Sequence, residues 1–354
     1  MSGELILITG TTGFVGFAVL QKALQAGYKT RIAVRKESQI GQLKSHRLIK
    51  DFAAKGFVEG VVVPDIGAEG AFDEALKDVV GVLHIASPLG RPNIEDTENE
   101  LVKPAVNGSL SILKSGLKFP QLRRIVITSS AVAIMTDQVI DAANPPIVYT
   151  ANTRVSPLPT APFPNDPWAG YRIAKQLALD ATEKFIAEKK PQYTVVNLMP
   201  GYVFGRNELA EKAQDLLDGS NAIVLGTVLG AIQGAKREGF TTPVTDLARI
   251  HVEALGEKVK GNQSFLLLAG KEGDKAEFNR ANEIAKTEFA DAVAEGILNP
   301  VGSTEAVHQQ VDKSITTEIF GPLETYEDGA RAVIAQYVEL KRKEANKITL
   351  EDLA

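Results

Sequence analysis

The stretch from Leu5 to Gly16 limits what this chain can become more than any other. Leu5 to Thr9 (LILIT) is an unbroken apolar run. Such runs read as parallel strands buried on both faces. The run meets Gly10-Thr11-Thr12-Gly13-Phe14-Val15-Gly16, and the next residues, Ala18 to Ala26, read as a helix stopped by Gly27. A strand, a glycine-rich turn and a helix N-terminus together form a phosphate cradle. Backbone amides point at the anion, and glycine lets the main chain approach it closely. At the head of a chain in which strand and helix patterns alternate, this predicts dinucleotide binding.

The alternation continues. Strands are expected at Thr30 to Val34, Val58 to Val63, Val82 to Ala86, Ile125 to Thr128 and Thr194 to Met199. Helices are expected at Ser38 to Lys55, ended by Gly56, and at Leu101 to Leu117, with Pro104 as a kink. This is the pattern of an α/β fold, a doubly wound parallel sheet of Rossmann type with a smaller C-terminal lobe for substrate. The dinucleotide-binding domain is assigned to residues 1–200, with roughly 240–270 returning to it. The substrate lobe takes 201–239 and 271–354.

Strand two ends in Arg35-Lys36. Rossmann units that bind NAD place an acidic residue about 20 positions beyond the glycines, where it holds the ribose 2′-hydroxyl. A cation there suits a 2′-phosphate instead, through charge-assisted bonds. NADP(H) is therefore the expected cofactor, with Arg35 the main contact and Lys36 its helper.

Tyr171 and Lys175 (YRIAK) fall four apart on an expected helix. That spacing puts phenol and ammonium on one face. A cation beside a phenol favours the phenolate and lowers a pKa that is ordinarily about 10. Tyr171 then becomes a candidate to exchange a proton with a small oxygen atom. Alone this pair is equally an ordinary solvated helix face; its weight comes from the elements upstream. One of these is Ser129-Ser130 at the end of strand five, where parallel sheets carry ligand chemistry.

Together these motifs resemble the extended short-chain dehydrogenase/reductase family. More narrowly they are similar to the branch of dihydroflavonol reductases, cinnamoyl-CoA reductases and yeast or fungal aldehyde and methylglyoxal reductases. The resemblance runs from Leu5 to about Tyr337. It rests on the TGxxGxxG spacing of Thr9, Gly10, Gly13 and Gly16, on His84-Ile85-Ala86-Ser87-Pro88, on PAVNGSLSIL around Asn107, on YxxxK, and on Pro200-Gly201-Tyr202-Val203-Phe204-Gly205.

The resemblance implies a catalytic set of Ser130, Tyr171 and Lys175. It implies cofactor contacts from Thr9, Gly10, Thr12, Gly13, Phe14, Val15, Gly16, Ala86, Ser87, Pro88, Pro200, Gly201 and Val203, with Lys175 on the nicotinamide ribose. Asp65 and Ile66 flank the adenine on this reading, although Asp65 is equally a helix N-cap. Asn107 holds backbone and water near Lys175, or is a purely structural helix residue. Ser130 binds the carbonyl oxygen, with Ser129 turned toward backbone. Trp168 and Tyr202 are candidate substrate walls, and Trp168 is also read as packing alone. Two departures stand out. Ala174 replaces the serine often found before the lysine, and Gln39 and Gln42 stand where some relatives carry a second cation.

Elsewhere the chain says less. Seven of its seventeen prolines lie between Asp141 and Pro167, so a loop without regular structure is expected there. Asn207 to Leu217 reads as a helix, Gly219 to Gly239 as a mobile pocket wall, and Asp246 as a helix N-cap. His84 reads as a packed core histidine. The four histidines have no metal-ligand spacing, and the chain has no cysteine, so no metal is expected. A net charge of -5 gives no footprint for nucleic acid or an anionic membrane. No apolar run approaches about 20 residues, and no leader pattern opens the chain, so a cytoplasmic protein is expected.

The activity these features predict is NADPH-dependent reduction of an aldehyde or ketone. Two rival readings stand beside it. A nucleotide-sugar epimerase or dehydratase using bound NAD normally carries an acidic residue at the place of Arg35. A non-catalytic NADP-binding regulator typically loses the Tyr-Lys pair.

Overall fold

A computed structural model of the chain describes residues 3–90, 93–136, 147–271 and 273–351. The chain divides into two compact units. One comprises 1–145, 149–199 and 248–266; the other comprises 146–148, 200–247 and 267–354.

The first unit holds a seven-stranded sheet. In chain order its elements are β1 Leu5–Thr9, α1 Phe14–Gln25, β2 Lys29–Val34, α2 Glu37–Ser45, α3 Lys50–Ala54, β3 Val58–Val62, β4 Gly81–His84, α4 Lys103–Gly116, β5 Arg124–Thr128, a short β6 Val148–Thr150, α5 Pro167–Lys189 and β7 Thr194–Pro200. After the second unit's β8 Tyr202–Phe204, α6 Asn221–Val228, β9 Ala235–Glu238 and β10 Thr241–Pro243, the chain returns through α7 Val244–Glu253 and β11 Gln263–Leu267. The sheet order is β11-β7-β5-β4-β1-β2-β3. The β1–β2, β2–β3, β1–β4, β4–β5 and β5–β7 pairs are parallel.

The apolar run of β1 has a direct cause. Ile6, Leu7 and Ile8 are fully buried, and helices cover both faces of a parallel sheet. Leu7 belongs to a cluster with Val82, Ile125, Val195, Ile112 and Phe72.

The second unit continues through α8 Arg280–Glu288, α9 Ala290–Ala294, β12 Thr304–Val307, β13 Gln310–Asp312, α10 Ser314–Phe320 and α11 Tyr326–Glu351. Its core stacks Phe204, Phe278 and Tyr326 edge to face, with centroids 5.5–6.3 Å apart. Val224, Val333 and Ile334 fill in around them.

Four local expectations are corrected. The single helix at 38–55 is two, because His46 turns extended; its ring packs edge-on against Phe17, and the turn buries Ile49. The helical stretch around Pro104 is irregular there, as a mid-helix proline requires: a π-helical turn at Glu98–Val102 runs directly into α4, with Pro104 in its first turn. Of Asn207 to Leu217 only Ala213–Leu217 is helical, as a 3-10 turn, because the Gln336 side chain takes both backbone groups of Asn207. The stretch from Gly219 to Gly239 contains the buried helix α6. Asp246 lies inside the first turn of α7 rather than capping it, and its carboxylate accepts the Glu324 amide at 2.7 Å. In the proline-rich loop, residues 137–146 lie outside the described residues. The described part carries β6 and is tied to α5 by a bidentate Arg154–Glu183 pair.

Candidate active site

The site in the first unit is built from loops at the carboxyl ends of β1, β4 and β5, and from α5. At β1 the chain turns so tightly that Gly16 approaches Gly10. A Cβ on Gly16 would lie 2.0 Å from the Gly10 carbonyl oxygen. Gly10 itself has φ +76°, and its own Cβ would meet the Ala86 amide at 2.8 Å. Thr12 and Gly13 are exposed at the mouth of the turn. Gly13 is the N-cap of α1, and no side chain caps that helix. Its first-turn amides are thus available to an anion. The hydroxyl of the fully buried Thr11 has no partner among the described residues. Exposed cradle, uncapped helix and orphaned hydroxyl fit a dinucleotide pyrophosphate. Phe14 and Val15 open α1 half-buried.

Thr9 is committed to the protein. Its hydroxyl accepts the amides of Ile85 and Ala86 at 3.1 and 3.0 Å and bonds His84 Nδ1 at 3.1 Å. It therefore ties the β4 loop, with Ala86, Ser87 and Pro88, to the cradle.

Arg35 and Lys36 are exposed at the end of β2. No carboxylate pairs with either among the described residues, so both guanidinium and ammonium face solvent. Lys36 is the N-cap of α2, and its amide donates to the Gln39 side chain at 3.0 Å. Gln39 thus closes a helix end.

Asp65 is not a helix N-cap. The residues after it form turns, and its Oδ1 accepts the Gly67 amide at 2.8 Å, because a short acidic side chain folds back two residues on. Ile66 lies against Gly108 of α4. Asn107 is exposed on α4 beside Gly67. Ser109 of the same helix, with Thr182 and Asn197, lines the space around Lys175.

Ser130 ends β5 as the cap of a 3-10 turn, where its hydroxyl accepts the Val132 amide at 3.4 Å. That hydroxyl is near enough to the Tyr171 phenol to pull its pKa down in part. Lys175 is 7% exposed, and its Nζ donates to Ser87 Oγ at 3.1 Å and to the Thr128 carbonyl at 3.2 Å. Burial lowers its pKa to about 8.

The expected depression of the Tyr171 pKa is reversed. Nζ of Lys175 lies 5.8 Å from the phenol ring centroid and makes no bond to the hydroxyl. Burial raises the Tyr171 pKa, opposed in part by the Ser130 hydroxyl. The phenol is therefore held protonated, the state a proton donor needs. His84 is pushed down to about 4, by burial first and the Lys175 charge second, so it is neutral at ordinary pH.

Trp168 stacks on Tyr171, with centroids 6.1 Å apart at 27°, and is 39% exposed. Asp166 and Pro167 start α5, Asp166 accepting the Ala169 amide at 2.7 Å. That fixes where the first turn of the Tyr171 helix begins.

Ser129 is more than a neighbour turned to backbone. Its amide donates to Leu198 at 2.7 Å, and its side chain joins Ser87, Ser109, Thr182, Asn197 and Lys175 around a cavity of about 20 Å³. The signal for this was Asn197, a lone amide within the apolar run of β7. In the second unit, the Gly201 amide donates to Thr242 Oγ1 at 2.9 Å, and a Cβ there would strike the Phe240 carbonyl at 2.3 Å. Val203 pairs with Thr242, Pro200 ends β7, and Tyr202 reaches toward Glu238. The described residues contain no cluster able to hold a metal and no helix long and apolar enough to cross a membrane.

The model of the NAD dependent epimerase/dehydratase family matches residues 6–267. Ketoreductase CTB6 of Cercospora nicotianae is 33% identical over 352 residues, which cover 97% of this chain and 98% of that protein. The putative NADPH-dependent methylglyoxal reductase GRP2 of Candida albicans is 30% identical over 273 residues, covering 75% and 78%. The solved structure of Gre2 from Candida albicans in complex with NADPH has a TM-score of 0.78 at 24% identity, covering 95% of this chain and 99% of that one, and speaks for the fold. With a family match over most of its length and a relative that spans it almost end to end, the chain belongs to the NAD dependent epimerase/dehydratase family, the extended short-chain dehydrogenase/reductases that its motifs resemble.

Proposed function

We propose that this protein is an NADPH-dependent carbonyl reductase that converts a small aldehyde or ketone to the alcohol. One observation carries the reading: the Ser130 hydroxyl at the carboxyl end of β5 and the buried Tyr171 phenol, held protonated by that burial, stand close enough to influence each other, with the Lys175 ammonium buried beside them. Relatives that are ketoreductases and aldehyde or methylglyoxal reductases support it.

The cradle at Gly10, Gly13 and Gly16 holds the pyrophosphate, and Arg35 with Lys36 the 2′-phosphate. Thr12, Phe14, Val15, Ala86, Ser87, Pro88, Pro200, Gly201 and Val203 complete the cofactor contacts, and Asp65 and Ile66 flank the adenine. The bound cofactor supplies the hydride. Ser130 and Tyr171 bind the carbonyl oxygen. As negative charge grows on it, the Tyr171 proton transfers and the charge is neutralised as the alcohol forms. Lys175 holds a positive charge near the ring and binds the nicotinamide ribose. Substrate selection is assigned to Trp168 and to the second unit, Tyr202 included.

The test is NADPH oxidation, followed at the reduced-nicotinamide absorbance, across a panel of aldehydes and ketones. Turnover on several of them is expected. No oxidation of NADPH by any carbonyl, with tight NAD binding instead, overturns the reading in favour of an epimerase or dehydratase.

A further inference from the structure

The catalytic assignment leaves the buried His251 without a task. It lies on α7, fully buried, and its Nε2 shares a 2.7 Å hydrogen bond with Thr128 Oγ1. Thr128 is the last residue of β5, and its carbonyl is one of the two acceptors of the Lys175 ammonium. The following residue, Ser129, is tied to β7 through its amide.

The far end of β5 is tied to the same part of the chain. Arg124 donates to the carbonyls of Ala254, Gly256 and Val259, just past α7, at 2.9, 2.6 and 2.9 Å. His251 is thus fixed beside β5 from two directions. A threonine hydroxyl at a strand end has several staggered positions open to it. The His251 bond selects one and so ties the end of β5, whose last carbonyl meets Lys175, to α7.

We propose that His251 and the Thr128 hydroxyl are positioning residues that hold the Lys175 ammonium in place through the Thr128 carbonyl. The proposal rests on the reading of Lys175 as part of the catalytic set. The other acceptor of the ammonium is the Ser87 hydroxyl at 3.1 Å. The groups facing Lys175 are His84 at the end of β4, Ser87 beyond it, Ser109 on α4, Ser129 just past β5, Asn197 on β7, and Tyr171 and Thr182 on its own helix. No carboxylate lines this space among the described residues. A charged amine there depends on neutral acceptors, so the aim of the Thr128 carbonyl contributes to its proton affinity.

The test uses Thr128→Val, which keeps the shape and removes the hydroxyl, and His251→Leu. Two quantities are read on the whole protein: carbonyl-reductase kinetics, and the pH midpoint of Lys175 amine modification followed by mass spectrometry. Each variant is expected to lower kcat about tenfold with little change in KM, and to move the Lys175 midpoint down by about one pH unit, because a hydrogen bond to the charged form is weakened. The double variant is expected to be no worse than the poorer single one, since both act through one carbonyl. Thr128→Ser and His251→Gln, which keep a hydrogen-bonding group, are expected to recover most of the loss.

A purely structural role predicts the opposite: a lower melting temperature, but wild-type kcat and midpoint wherever the protein is folded. That result in either variant overturns the proposal. The midpoint is read without turnover, so it decides this inference even if the reductase assignment fails. Tyr171→Phe, run alongside, decides that assignment separately.

Discussion

Two glycines in the cradle separate folding from cofactor binding. At Gly16, an added Cβ would lie 2.0 Å from the Gly10 oxygen, 2.5 Å from its carbonyl carbon and 2.9 Å from the Thr11 nitrogen, all backbone atoms. To reach even the 3.0 Å below which Cβ contacts essentially never occur, α1 must retreat from the strand end by 1 Å. Gly10 cannot yield, because it already abuts Ala86. Gly16→Ala is therefore an overpacking change, costing about 1–3 kcal/mol and lowering the melting temperature by about 2–8 °C. At Gly13 the nearest atom to an added Cβ is 3.5 Å away, an ordinary contact, and φ is −109°. Gly13→Ala is thus expected to change stability by less than about 1 kcal/mol, the scale of an N-cap preference. The new methyl stands on the exposed side, where the pyrophosphate is placed. It should weaken NADPH binding by about tenfold to hundredfold, the equivalent of a tight steric contact. Thermal melting and NADPH fluorescence titration on both variants give the answer. A Gly13→Ala protein that melts and binds NADPH like wild type refutes the placement of the cofactor on this turn.

Arg35→Asp should weaken NADPH far more than NADH, reversing a wild-type preference of roughly tenfold to hundredfold that a charge-assisted bond supplies; equal efficiency with both cofactors, unchanged in the variant, would make Arg35 a plain surface residue. Ser130→Ala should cut kcat by about a hundredfold, the loss expected for one donor to a developing oxyanion, and more than Ser129→Ala does; the reverse order in steady-state kinetics would exchange their roles. Lys175→Met should abolish turnover yet stabilise the fold at pH 7. Burial depresses the Lys175 pKa from 10.5 to about 8, so between those values the unfolded chain binds more protons and wild-type stability rises with pH. The gain from methionine, at most about 3 kcal/mol, should therefore be full below pH 8 and fade toward pH 10.5 in denaturant titrations. A gain that does not change with pH would show that the buried charge is not its source.

The cradle and the sheet were legible because their causes are local. An apolar run followed by closely spaced glycines says strand, tight turn and helix, and β1, Gly10, Gly16 and α1 follow. The Tyr171–Lys175 face was legible from its period alone. The sign of the Tyr171 pKa shift was not, since i,i+4 spacing does not reveal how deeply a ring is buried or whether the ammonium meets its oxygen or its face. Breaks set by distant partners were equally hidden, as where Gln336 unwinds Asn207 and Phe17 turns His46. For Asn107 the motif fixed the helix but not which neighbour its exposed face meets, here Gly67. Asn197 and His251 are polar residues in otherwise apolar patterns, and that mismatch was a readable sign that something nearby needed a partner.

The central claim is that the Tyr171 phenol, held protonated beside Ser130, delivers the proton during carbonyl reduction. The most direct measurement is the rate of NADPH oxidation by Tyr171→Phe on a good carbonyl substrate, with NADPH affinity measured on the same sample. Phenylalanine keeps the ring on Trp168 and removes only the hydroxyl. Turnover should fall at least about a hundredfold, the scale of general acid catalysis, while NADPH binds as in wild type. Near-normal turnover with intact NADPH binding would contradict the account, because the proton would then come from elsewhere.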